Sequence, residues 1–320
     1  MDNSSVGHDV SKQTDKDKKT VKKSFFTRLQ HLQLKRDDLF AVGDLRSTKA
    51  RGWTEKLLTR SMSGAIYALI IVICLYLGPL ATALLVSAMS WLCCSEFFRM
   101  MRIKDRRPSE FIGLAVAAAL PIAALLPSIW TSVVLFGLVI AVGIWFIMTP
   151  TANIADVALT VFGPLYTSLL FTSIVLIRNY NPGNTGAFLT FAVMGSIWVN
   201  DAMAYLVGVR FGKHKLAPTV SPNKSWEGFW GGICGSIIIW LVIWGTQVVP
   251  ISFYGAVLSG IVVGISGVLG DLFESRIKRG AGVKDSGDLI PGHGGLLDRS
   301  DSMLFGSMAA HFILVVGGLL

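Results

Sequence analysis

A chain of 320 residues would ordinarily make two soluble domains at about 150 residues each, but its composition excludes them. Hydrophobic residues make up 52% and charged residues 15%, against about 25% charge in soluble domains, and mean hydropathy is +0.58. A solvated globule of this kind would lack polar surface, a disordered chain would lack this apolar content, and no Gly-X-Y period supports a collagen-like fold, so the sequence reads as an all-α, polytopic integral membrane protein.

Residues 1–60 read as a polar, mostly disordered cytoplasmic tail. Within it Phe25, Phe26, Leu29 and Leu32 recur at helical spacing among Lys22, Lys23, Arg28, Lys35 and Arg36. Two readings fit this patch: an interfacial helix on anionic lipid, and a solvated tail with one apolar stretch. The first long apolar run starts some sixty residues in, so no secretory signal peptide is expected.

Residues 61–320 read as one membrane-embedded domain of about nine transmembrane helices. The expected spans are Gly64–Leu77, Leu80–Phe98, Phe111–Leu126, Ile129–Met148, Val157–Ile177, Ala187–Val209, Phe229–Val249, Phe253–Gly270 and Met303–Leu320. Gly78-Pro79 and Pro127-Ser128 interrupt the runs as tight turns do. Cys74, Cys93, Cys94 and Cys234 all lie inside apolar runs and read as packing residues.

Of the 29 lysines and arginines, 14 lie in the tail, five between Arg99 and Arg107, four between Arg210 and Lys224, and five between Arg276 and Arg299. Arg178 alone falls on the other side. The positive-inside rule therefore places the N-terminus and the basic loops in the cytoplasm, with the C-terminus outside. The expected location is the cell (inner) membrane.

Two stretches carry chemistry. In the seventh decile of the chain, Asn200 and Asp201 sit within an apolar span, where an ionisable residue is a functional-site hypothesis by default, and Tyr205 lies one turn on. The loop that follows holds Lys213, His214, Lys215, Ser221, Lys224, Ser225, Trp226 and Glu227. Lysines and serines can hold phosphate and an indole can stack a base, though a basic loop with Trp is also ordinary interfacial composition.

Between the last two expected spans, Asp271, Asp298 and Asp301 share one membrane depth. Such carboxylates repel unless a cation lies between them, and hard oxygen ligands suit Mg²⁺, which keeps waters and takes phosphate oxygens. Asp298 and Asp301, three apart, would share one face if helical. Gly294 and Gly295, after His293, can bring backbone N–H groups near an anion. Lys278, Arg279, Lys284 and Arg299 supply cationic density, and Ser275, Ser286 and Ser302 supply hydroxyls. His293 fits two roles: a general acid or base, or a hydrogen-bond donor to phosphate, preferred because an ionised phosphate nucleophile needs no base. Glu96 and Asp156, near span ends, read as snorkelling or paired, and His311 as an interhelical packing residue.

The run Ser275–Asp301, with its Ser-x-apolar-Lys-Arg start, Lys284-Asp285 pair, His293-Gly294-Gly295 and Asp298-Arg299-x-Asp301 end, resembles the signature of the phosphatidate cytidylyltransferase (CDP-diacylglycerol synthase) family. Gly270–Glu274, the loop 211–228 and Glu96-Phe97-Phe98-Arg99 are similar to that family's other shared blocks. The resemblance covers roughly residue 60 to the C-terminus. It implies the reaction of CTP with phosphatidate to give CDP-diacylglycerol and pyrophosphate at the cytoplasmic membrane face, with Mg²⁺, a second cation (K⁺), nine spans and a homodimer, and no nucleic-acid partner. Carried over residue by residue, Asp271, Asp298 and Asp301 are the implied metal ligands, and Lys278, Arg279, Lys284, His293 and Arg299 the implied polar wall.

Three positions depart from the family pattern. Ser300 replaces an apolar residue or threonine, Ala202 replaces a threonine after Asp201, and Asn223 replaces a frequent lysine. Competing readings are a CTP-dependent lipid-alcohol kinase, which would release CDP; an intramembrane prenyltransferase, on the Asp298-x-x-Asp301 pattern; and a cation-coupled transporter using Asp201, Asp271 and Asp301.

Overall fold

The computed structural model describes residues 64–287 and 294–319. The tail with its candidate interfacial helix, and His293, lie outside the described residues. The described chain is mostly helical with one short hairpin, and each expected span overlaps a helix.

The helices are α1 (Gly64–Leu77), α2 (Pro79–Arg102), α3 (Glu110–Ala123), α4 (Ile129–Met148), α5 (Ile154–Pro164) running through a π turn at Leu165–Leu169 into α6 (Leu170–Tyr180), α7 (Asn184–Phe211), α8 (Trp226–Thr246), α9 (Phe253–Ala281) and α10 (Asp301–Val316). Among the described residues six are long and apolar enough to cross a membrane: α2, α4, the continuous α5–α6 rod, α7, α8 and α9. The other three expected spans correspond to shorter apolar helices, α1, α3 and α10.

Local chemistry sets the ends. Gly78 takes φ +124 and Pro79 opens α2, the arrangement that ends one helix and starts another within two residues. A reciprocal capping box closes the start of α5: the Asp156 N–H donates to Asn153 Oδ1 (3.1 Å) and the Asn153 N–H to Asp156 Oδ2 (3.2 Å). Asp156 Oδ1 also accepts from the Arg107 N–H (2.9 Å). Asp156 is thus a buried cap joining two loops and not a snorkelling side chain. Pro164 removes a backbone donor just before the π turn. That turn aims Tyr166 into a ring cluster with Phe97, Phe162, Phe273 and Phe305, its ring stacked on Phe162 at 5.6 Å and 9°.

Two departures from the expected spans matter for the site. The helix α9 does not stop at Gly270 but continues to Ala281, so Asp271 lies inside a helix and shares a face with Glu274, Ser275 and Lys278. Between α7 and α8 the expected loop contains an antiparallel hairpin, β1 (Lys215–Ala217) and β2 (Ser221–Ser225), with Lys215 opposite Ser225 and Ala217 opposite Ser221 across an irregular register.

The site-bearing part of the bundle is α7 to α10. The helix α8 packs along both α7 and α9, and α10 packs on α9 and α6. In lipid there is no hydrophobic drive between helices, so close backbone approach through small residues does the holding. At Gly232 a Cβ would lie 2.8 Å from Asn200 Oδ1, and at Gly270 it would overlap the Asp301 carbonyl oxygen. Gly270→Ala is expected to lower stability by about 1–3 kcal/mol through overpacking, read as an earlier thermal midpoint of the detergent-purified protein. An unchanged midpoint would show that this crossing does not set the α9–α10 spacing.

Candidate active site

A cavity of about 910 Å³ opens between α1, α7, the hairpin, α9 and the start of α10. Four carboxylates line it: Asp201 from α7, Asp271 from α9, Asp298 from a 3-10 turn (Leu297–Arg299), and Asp301 from the first turn of α10. Lys224 and Arg299 are the cations among its lining residues. Tyr205, one turn from Asp201, lines it too, as the spacing predicts.

Each carboxylate is held differently. Asp271 Oδ2 pairs with Lys224 Nζ at 2.6 Å, tying α9 to the hairpin, and Asp271 Oδ1 accepts from the Ser275 hydroxyl at 3.3 Å. Asp201 Oδ1 accepts from the Ser302 hydroxyl at 3.2 Å, joining α7 to α10. Asp301 Oδ1 accepts from the Ser302 N–H at 2.7 Å and lies within electrostatic reach of Asp271, Glu274 and Asp201. A carboxylate in the first turn of a helix also meets the positive end of its dipole.

Asp298 is the most fully bonded of the four. Lys278 Nζ donates to Oδ1 at 2.6 Å, while Oδ2 accepts from the Ser286 N–H (2.9 Å), the Ser286 hydroxyl (3.0 Å) and the Gly295 N–H (2.9 Å). Burial pushes its carboxyl up, but Lys278 and these N–H donors outweigh burial and leave it below the ordinary carboxylate range. Behind it Lys278 also forms an ion pair with Glu274, which is fully buried. The expected span ended at Gly270, so Asp271, Glu274 and Lys278 were not read as one helix face, and Glu274 carried no marker separating it from a solvated charge.

Asp298 and Asp301 would share one face only within one helix; the structure places one in the 3-10 turn and the other beyond Ser300 in the first turn of α10, and both reach the cavity. Of the expected substrate-binding set, Asp201, Lys224 and Ser225 line the cavity, with Ser225 also capping α8 through the Gly228 N–H (3.2 Å). Lys213, His214 and Lys215 are exposed outside the lining, and Ser221 and Trp226 are likewise absent from it. Glu227 accepts from the N–H groups of Lys213 (3.1 Å) and His214 (3.3 Å) and pairs with His214 Nδ1 at 2.7 Å, so it clamps the hairpin base, and it is not among the residues lining the cavity. Trp226 packs edge-on against Phe229.

In the loop after α9, Arg279 Nη1 donates to the Val283 carbonyl (3.1 Å), closing the helix end, and Lys284 is exposed. Gly294 adopts φ +84, which favours glycine, and the Gly295 N–H is committed to Asp298 instead of an anion. Ser275 is buried beside Asp271, outside the lining. Of the three departures, Asn223 lines the cavity, Ser300 is buried behind it, and Ala202 is exposed outside it.

The donor set is of the kind a hard divalent cation takes: four carboxylates line the cavity, of which Asp271 pairs with Lys224 and Asp298 with Lys278. Among the described residues, no three His, Cys, Asp or Glu side chains come together closely enough to hold a metal ion by themselves. Asp201, Asp271 and Asp301 are the carboxylates with fewest protein partners, whereas Asp298 could ligate only by giving up bonds to Lys278, Ser286 or Gly295.

A model of the cytidylyltransferase family matches residues 58–316. The chain is 32% identical over 268 residues to a phosphatidate cytidylyltransferase of Bacillus subtilis (strain 168), covering 80% of this chain and 97% of that protein. It is 40% identical over 168 residues to a phosphatidate cytidylyltransferase of Mycobacterium bovis, covering 52% of this chain and 54% of the relative. A third, from Staphylococcus saprophyticus, is 40% identical over 139 residues, covering 43% and 53%.

Proposed function

The chain belongs to the cytidylyltransferase family, and on that premise we propose that it transfers the cytidylyl group of CTP to phosphatidate, forming CDP-diacylglycerol and pyrophosphate. The observation that carries the reading is the meeting of Asp201, Asp271 and Asp301 with Lys224 and Arg299 on one cavity within a bundle of membrane helices.

Both substrates are anionic, so their encounter is unfavourable without fixed positive charge. A phosphate oxygen of phosphatidate attacks the α-phosphorus of CTP, the new P–O bond forms, and the bond to the bridging oxygen breaks with its electron pair leaving on pyrophosphate. Lys224 and Arg299 neutralise phosphate charge and hold the two groups in line. Lys278, fixed between Glu274 and Asp298, keeps the 3-10 turn that presents Arg299 in place. Mg²⁺, held by Asp271 and Asp301 with Asp201 adjacent, would supply the additional electrophilic stabilisation of the phosphates. The acyl chains stay in the bilayer while the head group enters the cavity between helices.

The same reading places the N-terminus and the cavity mouth on the cytoplasmic side of the cell membrane, from the distribution of basic residues, and includes K⁺ as a second cation, lipid contacts and a homodimer, which rest on the family resemblance. The test is product analysis with purified protein, phosphatidate micelles and labelled CTP, with Mg²⁺ present or chelated. CDP-lipid and pyrophosphate in equal amounts, lost on chelation, are the expected result. Release of CDP on adding a lipid alcohol, without CDP-lipid, would move the chain to the lipid-alcohol kinases.

A further inference from the structure

Glu96, in the last third of α2, is 7% exposed and does not line the cavity. Nevertheless it gathers three hydrogen bonds from a loop about 190 to 200 residues away in sequence. The Leu296 N–H donates to Oε1 (2.9 Å), and the Leu297 N–H (2.8 Å) and Ser286 hydroxyl (2.9 Å) approach Oε2. Ser286 continues the chain: its N–H donates to Asp298 Oδ2, and its single hydroxyl proton is shared between Glu96 Oε2 and Asp298 Oδ2. The loop closes on this carboxylate from two sides: a Cβ at Gly287 would lie 3.0 Å from Oε1, and one at Gly295 would overlap both Ser286 Oγ and Oε2.

The N–H groups of Leu296 and Leu297 stand at the entry to the 3-10 turn, where backbone donors have no partner within the turn itself. A carboxylate accepting them makes charge-assisted bonds, stronger and shorter than neutral ones. The turn they anchor carries Asp298 and Arg299 into the cavity and leads directly into Asp301. An error of about 1 Å in a group that aligns reactants can cost roughly a hundredfold in rate.

We infer that Glu96 is the positioning residue of the transfer site: it fixes the Ser286 and Leu296–Leu297 segments on α2, and through them sets where Asp298, Arg299 and Asp301 stand. The inference rests on the reaction proposed above. Glutamine cannot replace it, because both Glu96 oxygens accept from backbone N–H groups and either orientation of an amide would point a donor at a donor.

The experiment compares full-length wild type, Glu96→Gln, Ser286→Ala and the double variant in phosphatidate micelles. It reads kcat and KM for CTP per folded molecule, with backbone hydrogen exchange across residues 294–300. Glu96→Gln is expected to lower kcat about tenfold to a hundredfold with KM for CTP within about threefold, and to quicken exchange at Leu296 and Leu297. The double variant loses little more than the worse single one, since both act through one network. Wild-type kcat in folded Glu96→Gln, or fully additive losses, overturns the inference. If Glu96→Gln does not fold, Ser286→Ala decides: it keeps both backbone bonds to Glu96, and an unchanged kcat overturns the relay. An inactive wild type would defeat the proposed reaction and leave exchange as the judge, quickened exchange in Glu96→Gln supporting the clamp and ordinary exchange overturning it.

Discussion

Asp301→Asn is expected to lower CDP-diacylglycerol formation by about a hundredfold to a thousandfold, the scale on which fixed electrostatic groups at a reaction centre act, while the helices stay folded. The amide oxygen of the substituted side chain can still accept from the Ser302 N–H, so the first turn of α10 keeps its local bond. What disappears is one negative charge from the group it forms with Asp271, Asp201 and Glu274. Without a bound cation, removing a like charge relieves repulsion, so the stability of the chelator-treated protein should hold or rise as activity falls, the reverse of what a folding defect gives. Asp271→Asn should behave similarly in rate, but it also weakens the ion pair with Lys224 that fastens the hairpin to α9. The check is kcat alongside thermal unfolding for each purified variant. Near-wild-type turnover in folded Asp301→Asn would remove this carboxylate from the site and, with it, the proposed cation position.

Lys278→Met is expected to be strongly destabilising. The ammonium is the shared counter-charge of Glu274 and Asp298, and the three side chains are 11%, 0% and 7% exposed. Methionine fills similar volume but leaves two carboxylates buried together without it. Breaking a buried pair by removing one partner costs about 3–5 kcal/mol, and here one cation serves two anions. The loss should appear as a lower thermal midpoint and as reduced yield of monodisperse protein. Adding Glu274→Gln to Lys278→Met should recover part of it, because one uncompensated charge is then removed. A midpoint unchanged by Lys278→Met would mean that Asp298 is held by Ser286 and Gly295 alone. No recovery in the double variant would mean that Glu274 is not the charge left stranded.

The apolar runs, their breaks at Gly78-Pro79 and Pro127-Ser128, and the single-sided basic residues all follow from local constraints: bilayer thickness, backbone hydrogen bonding and loop charge. These are properties of contiguous residues, so the sequence by itself determined an all-α membrane protein, and its long signature determined the family. Asp201, Asp271, Asp298 and Asp301, which line one cavity, were legible as candidate site residues because each ionisable group in or beside an apolar run needs a reason to be there. The same logic flagged Glu96 and Asp156 but could not name their partners. Glu96 meets Ser286, Leu296 and Leu297 only once α2 packs beside the loop after α9, and Asp156 became a cap only when the Arg107 N–H reached it. Likewise, Lys213, His214 and Lys215 match the composition of a phosphate-binding loop, yet the hairpin turns them away while Lys224, on its second strand, faces Asp271. Which charges share a cavity and which merely fasten the scaffold depends on distances between segments far apart in the chain. Tertiary packing alone decided that, because a hydrogen bond or ion pair depends on separation in space and is blind to separation in sequence.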